Sequence, residues 1–177
     1  MRRLMLLRHA KTETDAPSGR DQDRRLDARG RTDAAEIGGW IGRHPPFPDL
    51  VLVSPAVRAH QTWEIAWEAM KKRARQPRVE ILPELYGANP SQLLKTIRAA
   101  SSTDPKALML VAHNPGMHEL ALALTGSGDA APRKALTDNL PTSGLAILDF
   151  AGADWDDVAF RRGRLALFVS PKLLKQA

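Results

Sequence analysis

With 177 residues, 43% of them hydrophobic and 26% charged, the chain has the makeup of a folded globular protein and the length of one domain, residues 1–177. It contains no cysteine, which removes disulfides, thiolate nucleophiles and cysteine-ligated metal centres from consideration. A net charge of +6 favours anionic partners, but does not choose among nucleic acid, acidic protein surfaces and phosphate esters.

The first apolar run, Leu4 to Leu7, is too short for a membrane span or a signal-peptide core, so a soluble, cytoplasmic protein with no membrane partner is expected. It reads as a strand that stops at Arg8 and His9. Ala34, Ile37 and Ile41 then share a helical face, and Leu50 to Val53 reads as a second strand. Ser54 has the character of a helix N-cap and Pro55 that of a first helical residue, which puts Arg58 on the first turn. That helix carries Trp63, Ala66, Trp67 and Met70 at core spacing and ends in the basic cluster Lys71 to Arg75. A nucleic-acid face would add exposed stacking aromatics, so the cluster reads as a solvated helix end and no nucleic-acid partner is expected.

Val79 to Leu82 reads as a third strand, Leu93, Ile97 and Ala100 as a helical face, and Leu108 to Ala112 as a fourth strand. Met117, Leu120, Ala121 and Leu124 mark another helix; the stretch GSGDAAPRK, Gly126 to Lys134, reads as loop. Leu145 to Phe150 and Arg164 to Val169 are joined without a helix and suggest a terminal antiparallel hairpin, with Arg161 to Arg164 at its turn. Alternating strands and helices predict an α/β fold: a three-layer α/β/α sandwich around a mainly parallel sheet with an antiparallel strand. There is no internal repeat or dividing linker.

Ligands of open α/β sheets collect beyond the carboxyl ends of the strands. Arg8 and His9 follow the first strand, Arg58 lies just after the second, and His113 ends the run LMLVAH. In a parallel sheet these ends share one edge, so two arginines and two histidines can meet there. Arginine presents a planar fork suited to phosphate oxygens and stays charged at any working pH. A neighbouring histidine can attack phosphorus through one ring nitrogen when the other carries the proton and is fixed by an acceptor.

The same residues carry a family resemblance. The stretch LLRHAKTE is similar to the arginine–histidine–glycine signature of the histidine phosphatase superfamily, with Ala10 where glycine is commoner, and DRRLDARGR, VLVSPAVRAHQT, LPELYG and LMLVAHNPG match further segments in order. The resemblance runs from about residue 4 to about residue 125. It implies a phosphoglycerate mutase-like fold, His9 as the residue that becomes phosphorylated, Arg8 and Arg58 as phosphate ligands, and His113 as the second histidine of the pocket. Arg24 matches a family arginine that contacts phosphate or substrate. Glu84 in LPELYG stands where many members carry the acid that protonates the leaving oxygen, although its spacing to Gly87 is compressed; a helix-entry or polar packing role is the plainer reading.

Other candidates read as structural. His44 precedes Pro45 and Pro46 in a loop; His60 and His118 form no zinc pattern; Ser143 lacks a nucleophile elbow, although backbone near Thr142 and Ser143 can edge the site. Asn114 reads as a residue that turns the chain into the next helix. No metal and no cofactor are expected.

Only YGANPS separates the third strand from its helix, where larger relatives insert a lid, and this compactness resembles the SixA-type phosphohistidine phosphatases. The expected function is therefore a metal-independent phosphatase working through a phosphorylated His9 on phosphohistidine in a protein. A phosphatase of small phosphomonoesters, such as sugar phosphates, is the alternative within enzymes. A domain that binds phosphoprotein without hydrolysis is the alternative outside them.

Overall fold

The computed structural model describes residues 1–152 and 154–176. In chain order the elements are β1 (Arg2–Arg8), α1 (Ala28–Arg43), β2 (Leu50–Val53), α2 (Val57–Met70), β3 (Arg78–Ile81), α3 (Pro90–Ala99), β4 (Ala107–Ala112), α4 (Gly116–Leu124), β5 (Thr125–Gly128), α5 (Ala130–Asp138), β6 (Leu145–Phe150), β7 (Gly163–Val169) and α6 (Pro171–Gln176). Two short 3-10 turns, Asp21–Asp23 and Pro83–Leu85, lie in the loops after β1 and β3.

The strands form one sheet in the order β3-β2-β4-β1-β6-β7-β5. β6 runs antiparallel to β1 and to β7, and the other pairings are parallel. The sheet is thus mainly parallel with one reversed strand, as the alternation of elements predicts.

Side chains alternate across a strand, and both faces of the central strands are covered. Leu4 and Leu6 of β1 pack with Leu108 and Leu110 of β4 against Leu93 and Ile97 of α3 and Met117 and Leu120 of α4. Met5 and Leu7 pack on the opposite face with Met109 and Val111, against Ile37 and Ile41 of α1 and Trp63 and Met70 of α2. Three layers result. Each fully buried side chain of this size contributes about 1.5–3 kcal/mol of hydrophobic stabilisation, so the central strands are the most strongly held part of the sheet. α1 and α2 approach closely because Gly38 has no side chain; a Cβ there would overlap the Ala66 carbonyl.

Two expectations need correction. The Gly126–Lys134 stretch is not loop: Thr125–Gly128 pairs with β7, and α5 begins at Ala130. Ser54 does not cap α2, which begins three residues later after an extended Ala56; its hydroxyl serves the site described below. The stretch after β7 adds the short helix α6. Among the described residues, no helix is long and apolar enough to cross a membrane.

Candidate active site

β1 and β4 are neighbours in parallel register, with Leu7 beside Val111 and Arg8 beside Ala112. Continuing that register by one residue sets His9 next to His113. Their ring centroids are 5.3 Å apart, close to the spacing of adjacent strands. The His9 amide donates to the Ala112 carbonyl at 3.1 Å, which extends the ladder to the nucleophile position.

His9 is 7% exposed, and its Nδ1 lies 2.8 Å from the Ala10 carbonyl oxygen. A carbonyl can only accept, so Nδ1 carries the proton and Nε2 keeps a free lone pair. Burial, with smaller contributions from His113, Arg8 and Arg58, pushes the His9 pKa down to about 3 against the opposing pull of the Ala10 carbonyl. The imidazole is therefore neutral near pH 7.

His113 is fixed from the other side. The Ser54 hydroxyl oxygen accepts from the Ala56 amide at 3.3 Å and lies 2.6 Å from His113 Nε2. Among the described residues, Nε2 is the acceptor that the hydroxyl proton meets, so Ser54 donates to it and the ring proton of His113 resides on Nδ1. Nδ1 is buried without a hydrogen-bond partner. Burial, then Arg58, with Arg24 and Arg8 adding to it and Asp21 opposing, lowers the His113 pKa to about 4. His113 thus offers an N–H donor without bearing charge.

Arg58, on the first turn of α2, is 5% exposed. Its Nη1 donates to the Asp21 carbonyl at 2.8 Å and its Nη2 to Asp21 Oδ2 at 3.0 Å, while Nε is buried and unpaired. Arg8 Nη1 donates to the Leu140 carbonyl at 3.2 Å, and Arg8 Nε is likewise buried and unpaired. Burial and the like charge of Arg58 lower the Arg8 pKa. A buried guanidinium and a half-buried one that repel one another, each with an unpaired Nε–H, form a strong attractor for an anion. The N-terminal ends of α2 and α4 add positive partial charge at the same edge.

Supporting contacts explain why these motifs have their residues. Thr62 accepts from the Ala10 amide at 2.9 Å and donates to the Arg58 carbonyl at 2.7 Å, tying the end of β1 to α2. Gln61 accepts from the Leu26 amide, and Asp27 caps α1 by accepting from the Gly30 amide. Asn114 turns the chain into α4 as expected: its Oδ1 accepts from the His118 amide and its Nδ2 donates to the Leu140 carbonyl. The Ser143 amide donates to the carbonyls of Arg8 and His9, at 3.2 and 3.1 Å, from a backbone with φ 57°.

The structure brings Arg8, His9, Arg58 and His113 together. Arg24 stands at the rim, donating to Asp21 Oδ1 at 2.9 Å and to Thr12 at 2.7 Å. Glu84 is not brought in: it is exposed and lines a surface groove with Leu50, Glu80, Leu82, Gln92 and Lys95 on the α3 side of β3. Three residues of the cluster, Ser54, Asp21 and Tyr86, go beyond the sequence reading. Tyr86 Oη donates to Asp21 Oδ2 at 2.6 Å, and its ring lies edge-on to His113 with centroids 5.6 Å apart. Tyr86, with Arg24 and Arg58, holds the Asp21 carboxylate well below the usual range. Among the described residues, no group of three or more His, Asp or Glu side chains is placed to hold a metal ion.

Residues 4–89 match the model of the histidine phosphatase superfamily, branch 1. An uncharacterized protein of Mycobacterium leprae is 36% identical over 94% of this chain and 100% of its own length. A crystal structure from Agrobacterium tumefaciens, provisionally named phosphohistidine phosphatase SixA, is similar with 34% identity and a TM-score of 0.78, covering 96% of this chain and 99% of that one. The protein histidine phosphatase SixA complexed with tungstate shares the fold at 22% identity and a TM-score of 0.75, over 97% of this chain and 99% of that one.

Proposed function

The chain belongs to the histidine phosphatase superfamily, branch 1, and from that premise we propose that it is a phosphohistidine phosphatase working through a phosphorylated His9. The observation that carries this reading is the set of unpaired buried donors on Arg8, Arg58 and His113 around a neutral imidazole whose Nδ1 is tied to the Ala10 carbonyl.

In the first step the lone pair on His9 Nε2 attacks phosphorus of a phosphohistidine whose second ring nitrogen carries a proton, the P–N bond breaks with its electron pair going to the substrate nitrogen, and neutral imidazole leaves. The three equatorial oxygens gain hydrogen bonds from Arg8, Arg58 and His113 Nδ1 as negative charge spreads onto them. In the second step water attacks phosphorus, inorganic phosphate departs, and His9 returns to its neutral form.

The choice of phosphohistidine rests on proton supply and access. An alkoxide leaving group needs an acid, but Glu84 stands outside the cluster and Asp21 is held ionised by its three donors. An imidazole departing in neutral form from a ring protonated on its second nitrogen, with a conjugate-acid pKa of roughly 6.5, needs that help far less. Only residues 82–89 join β3 to α3, so no subdomain is inserted in this connection, which favours access by a side chain on another protein. The similarity to the Agrobacterium tumefaciens protein that carries the phosphohistidine phosphatase SixA name supports the same reading.

The test is a panel of phosphohistidine protein, phosphosugars and phosphoserine peptide, run on wild type and His9→Ala. Preference for phosphohistidine, lost turnover in His9→Ala and retained orthovanadate binding are expected. Faster turnover of phosphosugars would redirect the assignment to small phosphomonoesters. Binding of phosphohistidine protein without release of phosphate would point to a non-catalytic domain.

A further inference from the structure

Tyr86 is the only tyrosine in the chain, and nothing in the chemistry above uses its ring. It follows the 3-10 turn Pro83–Leu85 and is 37% exposed. At one end its ring meets half-buried His113 edge-on, at an interplanar angle of 87°. At the other its hydroxyl is held by Asp21, which also receives Arg58 and Arg24. The ring therefore spans from the floor of the pocket to its rim.

Two further features fix it there. The loop carrying Tyr86 comes close to the start of α4 because Gly116 has no side chain; a Cβ there would overlap the Ala88 carbonyl. The hydrogen bond from the phenol to the Asp21 carboxylate anchors the outer end of the ring. The other groups around the phosphoryl position are arginines and histidines, so Tyr86 supplies a broad aromatic wall among polar neighbours.

We propose that Tyr86 determines leaving-group specificity: its ring packs against a planar, unsaturated leaving group attached to phosphorus, such as the imidazole of phosphohistidine. This deepens the phosphohistidine reading and rests on it for the identity of the physiological group. Aromatic pairs prefer offset or edge-to-face contacts, and a flat ring leaving from an in-line geometry meets Tyr86 on its way to solvent. Asp21 then acts as a positioning residue, holding the ring in place and presenting the remaining edge of Arg58 to the phosphoryl oxygens.

The experiment uses binding, which does not depend on turnover. Phenylphosphonate and methylphosphonate share an anionic head and differ in the planar group. Wild type is expected to favour phenylphosphonate by about three- to tenfold in Kd, Tyr86→Phe, which lacks the bond to Asp21, to keep a smaller part of that preference, and Tyr86→Leu to bind both alike, with unchanged circular dichroism. A preference that survives in Tyr86→Leu, or an equal loss for both phosphonates, overturns the proposal. The phosphohistidine reading is judged separately by the substrate panel, so the two can fail independently.

Discussion

Lowering the pH from 7 to about 5 should destabilise the fold through the two histidines of the site. In the folded chain the His9 pKa lies at about 3 and that of His113 at about 4, both pushed down mainly by burial. In the unfolded chain each returns to roughly 6.5. Below about pH 6.5 the unfolded chain takes up protons that the folded chain refuses, so stability is complete above that value and declines as pH falls toward the folded pKa values. At about pH 5 each histidine removes about 2 kcal/mol, and the pair about 4 kcal/mol. That is a large share of the roughly 5–15 kcal/mol that holds a domain together. Urea unfolding at both pH values, for wild type and for His9→Gln/His113→Gln, isolates this contribution from that of the other titrating groups. Wild type should lose about 4 kcal/mol more than the double variant between the two pH values. Equal losses would refute the neutral, desolvated state of these rings.

Ser54→Ala removes the group that sets the His113 tautomer, letting Nδ1 become an acceptor that faces phosphoryl oxygens; kcat should fall about tenfold to a hundredfold with KM little changed, read by steady-state kinetics. Glu84→Gln should leave kcat/KM within about twofold of wild type, since removal of a working general acid would cost about a hundredfold or more; the same kinetics checks this.

The apolar runs of β1, β2, β4 and β6 were legible because central strands in a covered sheet must be apolar on both faces, and Arg8, His9 and His113 stood out as the polar residues where such runs end. β5 was not, because Thr125–Gly128 contains two glycines and no large apolar residue, and joins the sheet through its backbone beside β7. α5 was masked by Pro132 and by a face on which Leu136 is its buried residue. Ser54 followed by proline has the pattern of a helix start, and nothing local reveals that its hydroxyl meets a histidine 59 residues away. Asp21 and Tyr86, 65 residues apart, meet only through the fold. Glu84 and Tyr86 are close in sequence, yet the turn between them sends one to the α3 groove and the other to the site.

The most direct measurement is rapid quenching of wild type with phosphohistidine protein, followed by mass spectrometry of the peptide containing His9. Acid-labile, alkali-stable phosphate on His9, appearing before free phosphate and absent from His9→Ala, is predicted. Continued turnover with no phosphate on His9 at any time, or with His9→Ala as active as wild type, would contradict the account.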